Sequence, residues 1–507
     1  MGQEAGAGTG FREAPHRLSA LDAGFLYLER RSQPLHIAGI ITFDDALDYE
    51  RLIVDLAARL HLVPRCTQRA VPMPLGFGYP TWEPDPAFDL RRHVRRRQLR
   101  PPGGDRELAA LCAILYAQPL DRDHPLWEMH LIEGYDGADP PRAPGDVPAM
   151  SERARGRGGR GTALLVKVHH SMADGVAGVQ LLAMLFDTVP NAAATPWGVP
   201  EPRSQVEPPG FARRLYDGVV ERAAVRATQG RAVLELLARP RTALEQLRKT
   251  AETIGHVGRK YLAGAPATPF NGPIGTARQL GWVTFSLSVA RSIKRRVGAS
   301  LNDLVLAVTS GALRRVLCDR NVDPDPLVLR AIVPVNRRGA TESRDLGNRI
   351  SLMVAPVPVG IQDPIERMNR VRDATTELKA TDEPAKIQRL LGLAELLPPA
   401  AHRLLGFVRE PGKPINTVCT NVPGPPIPLY QQGVRVSRVL PFVPLVDGIG
   451  VAFAAFSYED TLAIGITADP GLVPDVDVVA SALRTSFEEL SSASGAAQPA
   501  VTESQVA

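Results

Sequence analysis

The chain has 507 residues, 44% hydrophobic and 22% charged, with 59 basic against 54 acidic side chains and a net charge of +5 at pH 7. That length accommodates two or three domains of ~100–200 residues, and the composition excludes a mostly disordered chain or a small disulfide scaffold. An excess of five charges is too small to point to nucleic acid by itself, and aromatics at 5% call for aliphatic cores.

Four widely spaced cysteines, Cys66, Cys112, Cys318 and Cys419, show no CxxC spacing. Neither a zinc site nor a disulfide framework is expected, and reduced thiols in a cytoplasm are the default. Residues 1–10 lack the basic and apolar regions of a signal peptide. The Met-Gly start is not followed by the Ser or Thr of a myristoylation signal. No run of ~18 apolar residues is present, so no membrane span is expected.

Residues 1–15 and 491–507 are small and polar and read as disordered ends. Ser19 precedes a first helix as its N-cap. His36 to Phe43 reads as a buried strand, and apolar residues at Leu47, Leu52, Ile53, Leu56 and Leu60 mark a helix over 44–60. Strands are predicted over Trp127–Ile132 and Thr162–His169. Between them, residues 134–161 are rich in Pro, Gly and Arg and read as a long disordered connection, with 136–161 as its core. An amphipathic helix over Val176–Phe186 follows, then a Pro-rich linker over 190–210 and an Arg-rich helical stretch over 211–262. Strand and helix alternation resumes at Gly281. A helix is expected over Asn302–Leu317, with strands over Val328–Val335, Arg349–Val357, Ile415–Thr420, Val434–Leu440, Gly448–Ser457 and Leu462–Thr467 and a closing helix over Asp475–Leu490. The chain thus divides into a first α/β domain over 16–195, a linker and basic helical crossover over 196–275, and a second α/β domain over 276–490.

The sharpest local feature is Lys167-Val168-His169-His170-Ser171-Met172-Ala173-Asp174-Gly175, set between an apolar strand and a helix. Strand to tight turn to helix is a common place to display catalytic groups. Adjacent strand residues point to opposite faces, so His169 and His170 do not readily share a metal ion. One ring can face a reaction channel and the other packed protein. Asp174 can brace the turn, and Gly175 gives the backbone freedom to start the helix.

HHSMADG matches the HHxxxDG motif of the CoA-dependent acyltransferase superfamily, to which chloramphenicol acetyltransferase and peptide-synthetase condensation domains belong. Further motifs narrow the resemblance to bacterial wax ester synthase/diacylglycerol acyltransferases. In the first half these are Leu18-Ser19, Asp22, Phe25-Leu26, Pro34-Leu35-His36, Phe88-Asp89-Leu90, His93-Val94, Pro119-Leu120-Asp121 and Pro125-Leu126-Trp127-Glu128. In the second half they are Asn302-Asp303, Val333-Pro334-Val335 with Arg337, Gly347-Asn348, Asn421-Val422-Pro423-Gly424-Pro425 and Ser457-Tyr458. The sequence departs from the pattern in the insertion at 136–161 and at Glu459-Asp460, where the family often has Asn-Gly.

The resemblance implies two chloramphenicol-acetyltransferase-like domains with the active site in a channel at their interface. It implies acyl transfer from long-chain acyl-CoA, a substrate rather than a cofactor, to diacylglycerol or a fatty alcohol. His170 would be the general base, without an acyl-enzyme and without a metal. Neutral imidazole suits that proton transfer near pH 7. His169 and Asp174 read as support, Asp174 through an arginine. Asn271, in a stretch with Arg278, is a candidate oxyanion donor or a simple turn residue. Asn302 and Asp303 read as a helix start and cap. Asn421, Pro423 and Gly424 fall in a segment expected to be irregular and to bridge the domains. Pro125-Leu126-Trp127 reads as strand-end packing.

Arg91, Arg92, Arg95, Arg96, Arg97 and Arg100 form one basic cluster. Arg213, Arg214, Arg222 and Arg226 begin another, interleaved with Phe211, Leu215, Val219 and Val220. A basic amphipathic helix suits an anionic membrane surface or lipid droplet, or equally a solvated face of a packed helix. The expected location is the cytoplasm, peripherally bound to the inner face of the plasma membrane or to lipid droplets. No aromatics accompany the charge as nucleic-acid binding would require. Two other readings are carrier-protein-dependent acyl transfer and a non-catalytic lipid-droplet protein; the intact histidine motif opposes the latter.

Overall fold

The computed structural model describes residues 17–76, 78–137, 161–172, 186–190, 210–220, 223, 227, 248, 255, 264–336, 350–381 and 415–496. The helix expected over 176–186, apart from Phe186, lies outside the described residues. So do most of the 136–161 insertion, the Pro-rich linker and nearly all of the Arg-rich stretch.

Two six-stranded mixed sheets carry the fold. The first centres on β1 (His36–Phe43), whose sequence HIAGIITF is rich in β-branched residues. Its order is β11 (Tyr430–Gln431), β12 (Val434–Phe442), β1, β6 (Gly161–His169), β5 (Trp127–Tyr135) and β4 (Val94–Gln98). All neighbours are antiparallel except β4 and β5. Around it lie α1 (Ala20–Leu28), α2 (Tyr49–Arg59), the short α3 (Leu90–His93) and α4 (Asp105–Tyr116). Ser19 does cap α1, its Oγ accepting the Asp22 N–H at 3.0 Å. The second helix starts later than its apolar stripe implies, because Asp48 caps it and accepts the Arg51 N–H. A separate ribbon pairs β2 (Gln68–Val71) with β3 (Thr81–Pro84).

The second sheet runs β7 (Gln279–Ser286), β14 (Thr461–Ala468), β13 (Val451–Tyr458), β10 (Thr417–Pro423), β8 (Leu329–Asn336) and β9 (Ile350–Val357). Its helices are α6 (Leu287–Val297), α7 (Leu301–Asp319), α8 (Pro364–Ala380) and α9 (Val476–Ala493); α5 spans residues 211–220 in the crossover. Helix α7 is apolar nearly all round, with Leu304 to Val308 and Ala312 to Leu313 buried. It packs between α8, α9 and the sheet in the largest core of the molecule.

Three expectations are corrected here. The hairpin β11–β12 belongs to the first sheet, where Ala38 to Phe43 of β1 pair with Val436 to Phe442, although it follows the sequence division at 276. The first sheet therefore carries two strands from the second half of the chain, whereas the second sheet is built wholly from that half. Strand β12 packs against β13 and β14 at the joint, and Gly465 makes the approach possible: any Cβ there would run into the Pro441 carbonyl. Second, residues 421–423 are strand. Asn421, Val422 and Pro423 extend β10 in parallel register with Ala455, Phe456 and Ser457. Pro423 is tolerated because it is the last strand residue and β8 pairs with β10 only at Thr417 and Val418. Third, the cap of α7 is Ser300 rather than Asn302-Asp303. Asp303 is the reciprocal partner in a capping box, accepting the Ser300 N–H at 2.8 Å.

Candidate active site

Strand β6 runs through the middle of the first sheet and ends at His169; residues 170–172 turn away from it. His169 lies opposite His36 of β1 in the ladder. The two-residue period of the strand then divides the site. Lys167 and His169 share a face with Ala163 and Leu165, with Ala38 and Ile40 of β1, and with α4. Val166 and Val168 take the other face with Ile41. His170 continues the alternation onto this second face. Its backbone N–H donates to the Leu35 carbonyl at 2.9 Å, and its half-buried ring stacks on Phe25 of α1, centroids 4.3 Å apart and 8° from parallel.

His169 is fully buried. Its Nδ1 accepts the Ser171 backbone N–H at 3.1 Å and lies 2.7 Å from the Ser171 hydroxyl. That contact keeps Nδ1 unprotonated and puts the ring proton on Nε2, which faces Glu29 Oε1 at 3.4 Å. Glu29 follows α1, and its side chain is only 5% exposed. Its Oε1 accepts the Leu35 N–H at 3.0 Å, and its Oε2 takes Nε and Nη2 of Arg122 at 3.1 and 2.7 Å. Burial alone would push this carboxyl up. His169, Arg122 and the Leu35 amide outweigh it and hold Glu29 at about 2, well below the usual carboxylate value. One carboxylate thus touches the His169 ring and fixes Leu35, whose carbonyl in turn holds the His170 amide.

A second buried ionic group sits on the same face. Lys167 has no exposed side chain; its ammonium donates to the Leu115 and Gln118 carbonyls, each at 2.8 Å, at the C-terminal end of α4. Glu128, directly opposite on β5, lies 3.5 Å away and also meets His130 and Arg95. Burial pushes Lys167 down and Glu128 up. For Glu128 the contacts with His130, Lys167 and Arg95 win and bring it to about 2. His36, enclosed and near Lys167, is pushed down to about 3 and stays neutral; one ring nitrogen lies 2.7 Å from the Tyr116 carbonyl.

Asp174 and Gly175 lie outside the described residues. Asn271 has no donor left for an oxyanion: its amide hydrogens go to the Asn416 and Gly448 carbonyls, and its oxygen accepts from Thr268 and Asn416. It is a turn residue that ties β10 to the loop before β13. Arg278 is buried and joins the halves, donating to Ser32 on one side and to Gly275 and Ala277 on the other. Asn302 sits in the first turn of α7, and Asp303 also accepts from Thr375 of α8 at 2.7 Å. The Oδ1 of Asn421 is buried and unbonded. Gly424 lets the chain cross β13, since a Cβ there would strike Ser457 and Phe456. Trp127 begins β5 and donates from Nε1 to the Cys66 carbonyl, while Leu126 accepts the His169 N–H, so Pro125-Leu126-Trp127 does serve packing.

Glu29 and Arg122 are the site residues that sequence reasoning missed, and Lys167, at the head of the motif, is given no role there. Glu29 and Arg122 lie among the residues that flank the first-half motifs. Nothing in their spacing announces that residues 93 apart meet beside His169.

A sequence model of the wax ester synthase/diacylglycerol acyltransferase catalytic domain matches residues 18–139 and 156–305, and one of the WS/DGAT C-terminal domain matches 346–491. A putative diacylglycerol O-acyltransferase of Mycobacterium tuberculosis is 32% identical over 496 residues, covering 94% of this chain and 90% of that protein. A second, probable diacylglycerol O-acyltransferase of the same organism is 32% identical over 482 residues, covering 94% and 96%. Among solved structures, the wax ester synthase/diacylglycerol acyltransferase from Marinobacter aquaeolei VT8 superposes with a TM-score of 0.63 at 24% identity, covering 95% of this chain and all of that one. The first condensation domain of the calcium-dependent antibiotic synthetase superposes at 0.60 with 15% identity, covering 95% and 96%. These two likenesses show that the two-sheet fold is shared.

Proposed function

The chain belongs to the wax ester synthase/diacylglycerol acyltransferase family, and from that premise we propose that it transfers a long-chain acyl group from CoA to the hydroxyl of diacylglycerol, and also to long-chain alcohols. The observation that carries this reading is the division of the histidine pair. His169 is enclosed beside Glu29, 3.4 Å from its carboxylate, while His170 is half-buried against Phe25 at the strand end. His170 takes the proton of the acceptor hydroxyl as its oxygen attacks the thioester carbonyl. The new C–O bond forms, the C–S bond breaks, and the same ring returns the proton to the departing thiolate. A thiol with a reference pKa of ~8.5 leaves readily, so no acyl-enzyme is needed. Asn421 is the candidate oxyanion donor of this reading, because the amide hydrogens of Asn271 are spent.

Contact with a lipid surface fits the same reading. No helix among the described residues is long and apolar enough to cross a membrane. Helix α5 exposes Phe211, Tyr216, Val219 and Val220. Its Arg213 and Arg214 are engaged by Asp217 and Glu83, at 3.0 and 2.6 Å, so the apolar residues rather than these arginines would make that contact. Arg222 and Arg226 lie outside the described residues. The test is release of free CoA from palmitoyl-CoA by the purified protein, with diacylglycerol and hexadecanol supplied separately. Acceptor-dependent release supports the reading; absence of release with both acceptors overturns it.

A further inference from the structure

His170 lies just past the end of β6, so strand pairing no longer fixes it. Two contacts help to hold it in place. Its backbone N–H donates to the Leu35 carbonyl at 2.9 Å, and its ring lies flat on that of Phe25, 4.3 Å between centroids. Leu35 and Phe25 belong to different elements, the lead-in to β1 and helix α1. Both lead back to Glu29. The Glu29 backbone N–H donates to the Phe25 carbonyl at 3.1 Å and closes the last turn of α1. Its carboxylate accepts the Leu35 N–H at 3.0 Å. One residue therefore fixes both the strut under the His170 backbone and the helix turn that carries the surface under its ring.

Arg122 ties this arrangement to a third element, the connection between α4 and β5. Its Nε and Nη2 grip Glu29 Oε2 at 3.1 and 2.7 Å, and Nη2 also donates to the Leu26 carbonyl at 2.8 Å. The guanidinium thus spans the end of α1. The chain between Glu29 and Leu35 is held as well. Arg30 and Gln33 exchange backbone bonds at 3.2 and 2.8 Å. The Gln33 amide donates to the Leu28 carbonyl at 3.3 Å and accepts the Asp447 N–H at 2.8 Å. Where the Glu29 carboxylate sits is then set by Arg122. A guanidinium suits that task because its donors are fixed in one planar fork, which a lysine ammonium does not reproduce. The Arg122 side chain is 49% exposed, so the ion pair adds little to stability through solvent-screened charge. What the pair supplies is geometry.

On the acyltransferase reading, we propose that Arg122 and Glu29 are positioning residues for the general base. Through Leu35 and the last turn of α1 they set the place and tilt of the His170 ring toward the acceptor hydroxyl. Proton transfer needs the two heavy atoms within about 2.6–3.2 Å, and a misplacement of about 1 Å can cost ~10²-fold in rate. Both residues act through His170 alone, so their effect on turnover vanishes once the imidazole is gone.

The experiment is a double-mutant cycle on CoA release from palmitoyl-CoA with saturating acceptor. It compares wild type, Arg122→Gln, His170→Ala and the double variant, with Arg122→Lys as the conservative replacement. Arg122→Gln should lower kcat about ten- to hundredfold with KM within about twofold of wild type. Arg122→Lys, which keeps the charge but not the fork, should retain part of the lost turnover. In the His170→Ala chain the Arg122→Gln change should cost less than about twofold. A loss of folded protein would lower turnover by the same factor in both backgrounds. That result, or a wild-type kcat in Arg122→Gln, overturns the proposal. A second measurement needs no activity. With histidines isotope-labelled at Cε1, the His170 signal is assigned by its disappearance in His170→Ala and carries the ring-current shift of the stacked Phe25. It should move toward the unstacked position in Arg122→Gln; an unmoved signal also overturns the proposal. Wild type without CoA release would sink the acyltransferase reading itself and leave the His170 signal to decide the positioning, so the two failures are distinct.

Discussion

The two faces of β6 differ sharply in chemistry. One carries the buried Lys167, His169, His130 and His36 with the partly buried Glu29 and Glu128, tied into the sheet and α4. The other carries Val166 and Val168 beside the half-buried Ile37 and Gly39. The doublet His169-His170 straddles the boundary, so one ring is given to the ionic face and its neighbour to the apolar, partly open one. Burying charge requires partners on every side, and that requirement makes the ionic face rigid. The open face has no such demand and can admit a substrate.

If this division is right, the two histidines fail differently when removed. His170→Ala should lower turnover by ~10²–10⁴-fold, as loss of a general base does, with the urea unfolding midpoint nearly unchanged. His169→Ala should shift that midpoint down, because Glu29 is left buried without one of its partners. Equal stability losses in both variants, or turnover above about a tenth of wild type in His170→Ala, would break the comparison.

Lys167→Met tests the ionic face directly. It strips Glu128 of a buried partner and leaves the Leu115 and Gln118 carbonyls without their donor. Removing one member of such a group costs about 3–5 kcal/mol. Replacing Glu128 by Gln in the same chain should recover part of the loss, as the stranded charge disappears. A single variant as stable as wild type would show that Lys167 is not held charged in the folded protein.

Glu29 gives the pH signature. Its carboxyl sits at about 2 in the folded protein against an ordinary 4.5. A carboxylate depressed in the folded state contributes stability above its unfolded value, and that contribution is lost as pH falls from about 4.5 towards 2. The difference corresponds to roughly 3 kcal/mol. Glu29→Gln should therefore lie well below wild type in unfolding free energy at pH 6 and close to it near pH 2.5. Because Glu128 titrates in both proteins, it cancels in the comparison. A gap that is the same at both pH values would remove the Glu29 charge from the account.

Much of this arrangement is legible in the sequence. The strand HIAGIITF, the strand leading into His169-His170 and the Ser19 cap all follow from local pattern and emerge as read, because local propensity and burial agree there. The hairpin of residues 430–442 is different. Its alternation marks it as strand but cannot say which sheet it joins; that choice depends on Gly465 letting it cross β14. Asn421-Val422-Pro423 looks irregular because of its proline, and only the missing β8 pairing beyond Val418 makes it strand. Glu29 and Arg122 are ordinary charged residues in the sequence. They become part of the site through a contact across 93 positions that no periodicity encodes.

The smallest expected effect compares two isoleucines three residues apart on β1. Ile40 is fully buried on the ionic face, packed with Leu165 and Leu440 beneath α4. Ile37 is half-buried on the other face. Trimming Ile to Val removes the same carbon from each, so the chemistry is constant and only the surroundings differ. In a close-packed interior the change costs about 0.5–1.5 kcal/mol, because neighbours relax only partly around the space left. Ile40→Val should fall in that range. Ile37→Val should cost less than about 0.5 kcal/mol, since Ile37 is only partly buried at the edge of its core. Paired urea titrations resolve the difference if slopes are equal. Equal losses would mean that both faces of β1 are packed to the same density at this end.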